Sequence, residues 1–147
     1  MITACIVLYN NNRKVLLEAI NSFLQSPLAK KIYLVDNSSS DSLKDISNDE
    51  RIEYIHSPSN PGFGAAHNIA IKKAIEGGSK YHLVLNPDVY FENTTIDLLL
   101  KFMNDHPNVG NVMPKVLYPD GQVQYLCKFL PTPYDWIGRR FKNIKKG

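Results

Sequence analysis

The segment Tyr81–Asp88 reads YHLVLNPD and joins a short apolar run directly to a polar turn. Five residues rich in apolar side chains, followed by a turn that contains proline, predict a buried β-strand from Tyr81 to Leu85. Pro87 restricts the backbone immediately before the carboxylate of Asp88. Asp88 is therefore either a turn residue or a group directed at something bound beside the end of the strand.

Strands and helices alternate on the amino-terminal side of this segment. Runs of apolar and β-branched residues predict three further strands, at Ile2–Tyr9, Ile32–Val35 and Arg51–Ile55. Apolar residues at helical spacing predict helices at Val15–Leu24 and Ala65–Ile75, and a third from a cap at Thr94 or Thr95 to about His106. This alternation predicts an α/β fold with a mainly parallel sheet and helices on both of its faces.

Shorter strands are predicted beyond the third helix. They cover Asn111–Met113, Val116–Tyr118 and Val123–Leu126, and Pro114 separates the first two. Asp120-Gly121 predicts a hairpin turn between the last two.

Polar residues follow each of the first four predicted strands, at Asn10, Asp36, Asn60–Gly64 and Asn86–Asp88. In parallel α/β sheets, ligands bind outside the carboxyl ends of the strands. Four polar clusters at four consecutive strand ends therefore predict a binding edge, and a purely structural domain has no need of them.

Each of these clusters has a structural interpretation beside the functional one. Asp36 is either a turn or N-cap carboxylate, or an acceptor for a ribose hydroxyl or a base N–H. The segment Asn60–Asn68, NPGFGAAHN, is either a tight turn with a helix cap or a loop whose backbone approaches an anion at a helix N-terminus. His67 replaces the third glycine of a dinucleotide fingerprint, and the chain has no P-loop motif.

Asp88 is of the residue type that holds a hard divalent cation. Mg²⁺ is commonly bound by one or two carboxylates together with substrate phosphates. The four histidines show no ligand spacing, and the two cysteines, Cys5 and Cys127, make neither a disulfide framework nor a zinc site.

The composition predicts one globular domain whose charge does not favour binding to polyanions. The 147 residues carry a net charge of +3, but five of the 17 basic residues lie near the end, at Arg139, Arg140, Lys142, Lys145 and Lys146. Without them, 12 basic residues stand against 14 acidic ones, so we expect no nucleic-acid partner. We see neither a signal peptide nor a transmembrane segment and expect a cytoplasmic protein.

In this order and spacing, the motifs resemble glycosyltransferase family 2, an inverting family with the GT-A (Rossmann-like) fold. The matching pieces are ITACIVLYN, IYLVDNSSSD, NPGFGAAHN and LVLNPDVYF, and PKVLYPDGQVQ is similar to the segment that follows in bacterial rhamnosyltransferase-like members. The resemblance covers about residues 2–133. It implies a donor-binding domain over 1–133 and a basic tail over 134–147 that begins an acceptor-side region.

The resemblance also implies roles for individual residues. Those expected to bind the nucleotide sugar are Tyr9, Asn10, Asp36, Asn37, Asn60, Gly62, Gly64, Asn68, Asn86 and Asp88. Asp88 would be the metal ligand, for Mg²⁺ or Mn²⁺, in a motif whose first aspartate is replaced by Asn86. The same replacement is similar to that of rhamnosyl- and galactofuranosyl-transferase-like members.

The implied reaction transfers a sugar with inversion from a nucleoside-diphosphate sugar, dTDP-rhamnose-like or a UDP-sugar, to a glycan or lipid-linked acceptor. It places the protein in polysaccharide biosynthesis of the cell envelope. The family's catalytic base lies in a later segment, which we expect beyond Gly147, because nothing marks Asp120 or Asp135 as a base. We therefore expect this chain to be truncated after the donor-binding half, or one piece of a larger enzyme.

Three other interpretations of the function compete with this one. The chain is alternatively a nucleotide-binding module without turnover of its own, or a structural protein. A nucleotidyltransferase is disfavoured because YNNNRK, after the first strand, contains no glycine. The tail Trp136–Lys146 is either a solvated terminus or an amphipathic basic segment that contacts the inner face of a membrane.

Overall fold

The computed structural model describes residues 1–125, in which a four-stranded sheet forms the centre of the unit Met1–Gly110. Its strands are β1 (Ile2–Leu8), β2 (Ala29–Asp36), β3 (Ile52–His56) and β4 (Tyr81–Leu85). They lie in the order β3-β2-β1-β4, and every neighbouring pair is parallel. All four carboxyl ends therefore lie at one edge of the sheet, as the sequence predicted.

Three helices cover the two faces of this sheet: α1 (Arg13–Leu24), α2 (Phe63–Glu76) and α3 (Thr94–Asp105). Apolar residues of α1 and α3 pack with Ala4, Ile6 and Leu8 of β1. On the opposite face, α2 packs three alanines, Ala66, Ala70 and Ala74, against Cys5 and Val7. The alternation of β1 side chains between the two clusters follows from the two-residue period of a strand.

Cys5 behaves as a small apolar residue, as its sequence context predicted. It is fully buried beneath α2, and burial raises the pKa of its thiol to about 12. The thiol is therefore protonated at neutral pH and is not a nucleophile there. Cys127 lies outside the described residues.

The two glycines after α2 close the helix as expected, with Gly77 at the C-cap and Gly78 at a φ of 69°. The predicted cap of α3 is wrong. Asn93 precedes the first helical residue in helical backbone geometry, and its side chain makes no capping bond. The turn starts earlier, because the N–H of Thr95 already donates to the carbonyl of Glu92.

The unit from Asn111 onward is described as far as residue 125. It contains an antiparallel hairpin of β5 (Val116–Leu117) and β6 (Val123–Gln124). Gly121 turns the chain with a φ of 83°, which confirms the predicted hairpin. The strand predicted at Asn111–Met113 is wrong within the described part of the chain, since pairing starts only after Pro114, which has no N–H to donate.

Within residues 1–125, no helix is long and apolar enough to cross a bilayer.

Candidate functional site

The predicted site residues occupy the carboxyl edge of the sheet, and they differ sharply in exposure. Asp36 and Asn37 are buried, at 1% and 3% exposed, whereas Tyr9 is 60% exposed. Gly62 is half-buried. The remaining members are exposed: Asn10, Asn60, Gly64, Asn68, Asn86 and Asp88.

Asp36 ends β2 with both carboxylate oxygens hydrogen-bonded. Oδ1 accepts from the N–H of Ser38 at 2.9 Å, and Oδ2 accepts from the hydroxyl of Tyr54 at 2.6 Å. Burial, together with the hydrogen bond to Asp36, raises the pKa of Tyr54, so the tyrosine remains a donor at neutral pH. A buried carboxylate needs such donors, because losing its hydration is costly.

Asn37 follows Asp36 but has a different environment. Its N–H donates to the carbonyl of Leu8 at 2.9 Å, which ties the end of β2 to the end of β1. Its side-chain Oδ1 is buried and has no hydrogen-bond partner within residues 1–125. An unpaired buried acceptor is costly, and such atoms in folded proteins call for an explanation. A ligand that donates a hydrogen bond there supplies one.

The end of β1 is joined to the end of β2 by a second contact. The N–H of Asn10 donates to the hydroxyl oxygen of Ser38 at 2.8 Å, and Asn10 has a φ of 52°, in the left-handed region. Asparagine is among the few residues that adopt this conformation readily. Asn10, Asp36 and Asn37 are therefore brought together, as the sequence predicted for adjacent strand ends.

The segment after β3 leads into α2 through a turn with two residues at positive φ. Asn60 and Gly62 have φ values of 45° and 93°, and Gly62 is the N-cap of α2 without a side-chain capping bond. The first turn of α2 contains no acidic residue. The positive end of the helix dipole and its free N–H groups are therefore not neutralised by a side chain of that turn.

The segment after β4 forms a β-turn that presents Asp88 outward. The N–H of Val89 donates to the carbonyl of Asn86 at 3.3 Å, which places Pro87 and Asp88 at the two central positions. Val89 and Phe91 pack against the core and anchor the far side of the turn. The exposed Asp88 carboxylate accepts no hydrogen bond from residues 1–125, so it is a turn residue with a free carboxylate.

A divalent cation at Asp88 needs ligands from outside the protein. In the described part of the chain, no three His, Cys, Asp or Glu side chains converge on one point. A single carboxylate together with phosphate oxygens and water is nevertheless a usual ligand set for Mg²⁺. The residues present thus fit a cation shared with a bound diphosphate, and they do not fit an all-protein cage.

Three residues at this edge were not predicted as site residues from the sequence: Ser38, Tyr54 and His56. Tyr54 and His56 lie on the same side of β3, which pairs with β2 through Leu34–Tyr54 and Asp36–His56. His56 Nε2 lies 3.0 Å from the carbonyl oxygen of Ser38, so this nitrogen carries the proton in that contact. Tyr54 itself was the available signal, because a partly buried tyrosine hydroxyl needs a hydrogen-bond partner.

A parallel α/β sheet with polar groups at the carboxyl ends of its strands defines a Rossmann-like ligand-binding domain. Comparison with family models matches residues 3–144 to the model described as Glycosyl transferase family 2. The chain therefore belongs to glycosyl transferase family 2.

Solved structures share this fold. The crystal structure of S. aureus TarS matches with a TM-score of 0.59 at 19% identity, over 80% of this chain and 24% of that one. The crystal structure of S. aureus TarS 1-349 matches with a TM-score of 0.60 at 19% identity, over 80% of this chain and 39% of that one. The fold is thus GT-A, and the chain spans well under half of either structure. Comparison with curated protein sequences gives no match.

Proposed function

We propose that this chain is the donor-binding part of an inverting glycosyltransferase, and that it binds a nucleoside-diphosphate sugar at the carboxyl edge of its sheet. Family membership supports glycosyl transfer as the general activity. The observation that carries the binding site is the exposed Asp88 carboxylate, which accepts no hydrogen bond from residues 1–125 and is held in an anchored turn at the end of β4.

The nucleoside is assigned to the ends of β1 and β2. Asn37, directly after β2, has a side-chain Oδ1 without a partner among residues 1–125. Tyr9, directly after β1, offers an exposed aromatic ring. A ring of this kind suits stacking with a nucleobase, and the amide suits a base N–H or a ribose hydroxyl. Asp36 already accepts hydrogen bonds from two donors. We therefore propose that Asp36 supports the position of Asn37, and that Asn37 makes the main contact with the nucleoside.

The diphosphate is assigned to the start of α2. Asn60, Gly62 and Gly64 bring the chain to the helix N-terminus, and Asn68 lies in the next turn of the helix. Free N–H groups and the helix dipole favour an anion there. Within residues 1–125, and apart from neighbouring residues in the chain and the helix's own backbone, no atom lies within 4 Å of the place where a Cβ would stand at Gly62 or Gly64, which leaves the backbone open to a close approach.

Asp88 is proposed to hold Mg²⁺ or Mn²⁺ against the diphosphate, with Asn86 beside it at the start of the same turn. The ion's chemistry would be to stabilise the negative charge that develops on the leaving nucleoside diphosphate. The contribution of the chain is the carboxylate itself and the turn that fixes its position.

The proposed reaction is a single displacement at the anomeric carbon. The acceptor oxygen forms a bond to that carbon while the bond to the diphosphate oxygen breaks, and the diphosphate leaves with the electron pair. The proton of the acceptor hydroxyl passes to a general base, which we assign to a region outside residues 1–125. Asp120 is a turn residue, since its Oδ1 accepts from the N–H of Gln122 at 3.0 Å, and Asp135 lies outside the described residues.

A nucleotide-binding module without turnover is the second candidate. It is favoured by the extent of the match, because the chain covers only 24% and 39% of the two TarS structures. We further propose that the donor is a dTDP-rhamnose-like sugar or a UDP-sugar and that the acceptor is a glycan or a lipid-linked molecule. The proposed location is the cytoplasm, near a membrane. The basic tail proposed for membrane contact lies outside the described residues.

Calorimetric titration with UDP and dTDP, with and without Mg²⁺ or Mn²⁺, tests the donor site. We expect binding that strengthens with the metal, because phosphate oxygens and Asp88 would share it. The Asp88→Ala variant should lose the metal-dependent part, roughly tenfold or more in affinity.

Asp105→Ala is the matched control for that titration. Asp105 is an exposed carboxylate near the end of α3, where it pairs with Lys101 at 2.8 Å. Its removal should leave binding unchanged. If neither nucleotide binds the wild-type chain under any metal, the donor-site proposal is wrong.

A further inference from the structure

One chain of hydrogen bonds joins the ends of β1, β2 and β3, and we call it the strand-end brace. It runs from the Tyr54 hydroxyl to Asp36 Oδ2 (2.6 Å), and from Asp36 Oδ1 to the N–H of Ser38 (2.9 Å). The Ser38 hydroxyl then accepts from the N–H of Asn10 at 2.8 Å. His56 adds a contact of 3.0 Å from its Nε2 to the Ser38 carbonyl oxygen.

Tyr54 is the member of this brace that reaches the buried carboxylate from another strand. Asp36 is 1% exposed, so water cannot replace a lost donor without rearrangement. Hydrogen bonds to a carboxylate are shorter and about twice as strong as neutral ones, and the Tyr54–Asp36 distance is in that short range. Without the hydroxyl, the Asp36 side chain loses one of the two contacts that fix its orientation.

The brace encloses two residues assigned to the nucleoside. Asn37 lies between Asp36 and Ser38 in the chain, so both of its neighbours are held by the brace. Asn10 is held in left-handed backbone geometry by the same Ser38 hydroxyl. Hydrogen bonds through Asp36 and Ser38 thus connect both asparagines to Tyr54 of β3.

We propose that Tyr54 is a positioning residue for the nucleotide, acting through Asp36 and Ser38 to hold Asn37 and Asn10 in place. This inference rests on the proposed donor site. It assigns to β3 a part in nucleotide affinity that the strand-end residues alone do not show. Neither the family match nor the structural relatives assign such a part to this residue.

The test compares Tyr54→Phe with Tyr33→Phe by calorimetry with UDP and dTDP in the presence of Mg²⁺. Tyr33 is a matched control because it is 5% exposed on β2, packs on the α2 face, and its hydroxyl makes no hydrogen bond within residues 1–125. We expect Tyr54→Phe to weaken binding about tenfold, the effect of one charge-assisted hydrogen bond. Tyr33→Phe should bind as the wild type does.

Repeating the measurement in an Asp36→Asn background tests whether Tyr54 acts on binding through the Asp36 carboxylate. If Tyr54 acts through the carboxylate, the second substitution removes the difference between tyrosine and phenylalanine, so the two effects are not additive. Additive losses would show that Tyr54 affects binding by a route independent of the Asp36 carboxylate, and would overturn the inference. Equal affinity of Tyr54→Phe and wild type would overturn it as well.

An NMR measurement without any nucleotide separates failure of the brace from failure of the donor site. The backbone amide signals of Asn10 and Ser38 should shift in Tyr54→Phe, while that of Ala70 under the opposite face stays in place. Unshifted signals mean that the brace does not form, whatever the chain binds. If the signals shift but wild-type chain binds neither nucleotide, the donor site is wrong and the positioning role falls with it.

Discussion

At the scale of single residues, Asp36 and Asn37 show how neighbours in sequence acquire different tasks. Asp36 has a donor for each oxygen, one from its own turn and one from Tyr54. Asn37 is equally buried, yet its Oδ1 has no partner within the described residues. The satisfied residue suits support of the site, and the unsatisfied one suits contact with a ligand.

The Asn37→Ala substitution should separate binding from stability. Removing an unpaired buried acceptor takes away a desolvation cost, so the free energy of unfolding should change by less than about 1 kcal/mol. Affinity for UDP or dTDP should fall roughly tenfold, because the ligand loses its acceptor. Urea denaturation and calorimetry measure the two quantities on the same sample.

Asn93→Ala provides the comparison for that experiment. Asn93 is exposed before α3 and makes no capping bond, so neither quantity should move. A loss of stability above about 2 kcal/mol in Asn37→Ala would instead indicate a structural amide.

At the scale of elements, the start of α2 depends on two glycines that the structure uses differently. Gly62 is the N-cap, with φ 93° and ψ 166°, a conformation that residues with a Cβ rarely adopt. Gly64 lies within the helix and has no positive φ. Within the motif Asn60–Gly64, the backbone conformation thus requires glycine at Gly62 and does not require it at Gly64.

Alanine at these two positions should have opposite effects on stability. Gly62→Ala should lower the free energy of unfolding by about 1–2 kcal/mol, because the backbone becomes strained. Gly64→Ala should raise it by up to about 1 kcal/mol, because alanine is the better helix former. Denaturation midpoints of the two variants measure this difference.

The pair of variants contains its own control. Apart from neighbouring residues in the chain and the helix's own backbone, no atom of residues 1–125 lies within 4 Å of the Cβ position at either glycine, so contacts with the rest of this part of the chain do not contribute. Equal losses at both positions would contradict the assignment of the strain to Gly62.

At the scale of the whole molecule, two histidines lie on the α2 face of the sheet, His67 buried and His82 half-buried. His67 in α2 has both ring nitrogens without partners in the described residues, and burial lowers its pKa. His82 in β4 contacts the Thr3 hydroxyl through Nδ1 at 2.8 Å, and its Nε2 is buried without a partner among residues 1–125. Burial first, and then repulsion from His67, lower the pKa of His82 from 6.5 to about 4.

These shifts predict a specific loss of stability in acid. The folded state prefers neutral His82, whereas the unfolded chain takes up a proton near pH 6.5. The contribution of neutral His82 to the free energy of unfolding is therefore fully present above pH 6.5. It declines as the pH falls from 6.5 towards 4. After allowance for partial exposure, we expect a loss of about 2 kcal/mol, measured by urea denaturation from pH 7 to pH 4.

Two variants isolate the histidine part of this pH dependence from that of the carboxylates. His82→Gln should be less sensitive between pH 6.5 and pH 4 than the wild type. His106→Gln, which removes an exposed histidine after α3, should keep the wild-type slope. Identical slopes in the wild type and His82→Gln would contradict the buried-histidine explanation.

Much of the architecture follows from local patterns. The strand Tyr81–Leu85 has its predicted bounds, and the other three strands and three helices differ from prediction by a few residues at their ends. The errors lie where the pattern is weak. The N-cap of α3 is Asn93, directly before the two threonines, and Asn111–Met113 is apolar enough for a strand but precedes a proline.

The sequence by itself determined the fold class, the common edge for its polar residues and, through its motifs, the family. Periodicity and strand order suffice for this, because parallel strands joined by helices must end on the same side. Only the tertiary structure decided which polar residues are satisfied and which are free. Tyr54 reaches Asp36 across 18 residues, and Asn10 reaches Ser38 across 28. Such contacts depend on the register between strands, and no local pattern in the sequence encodes that register.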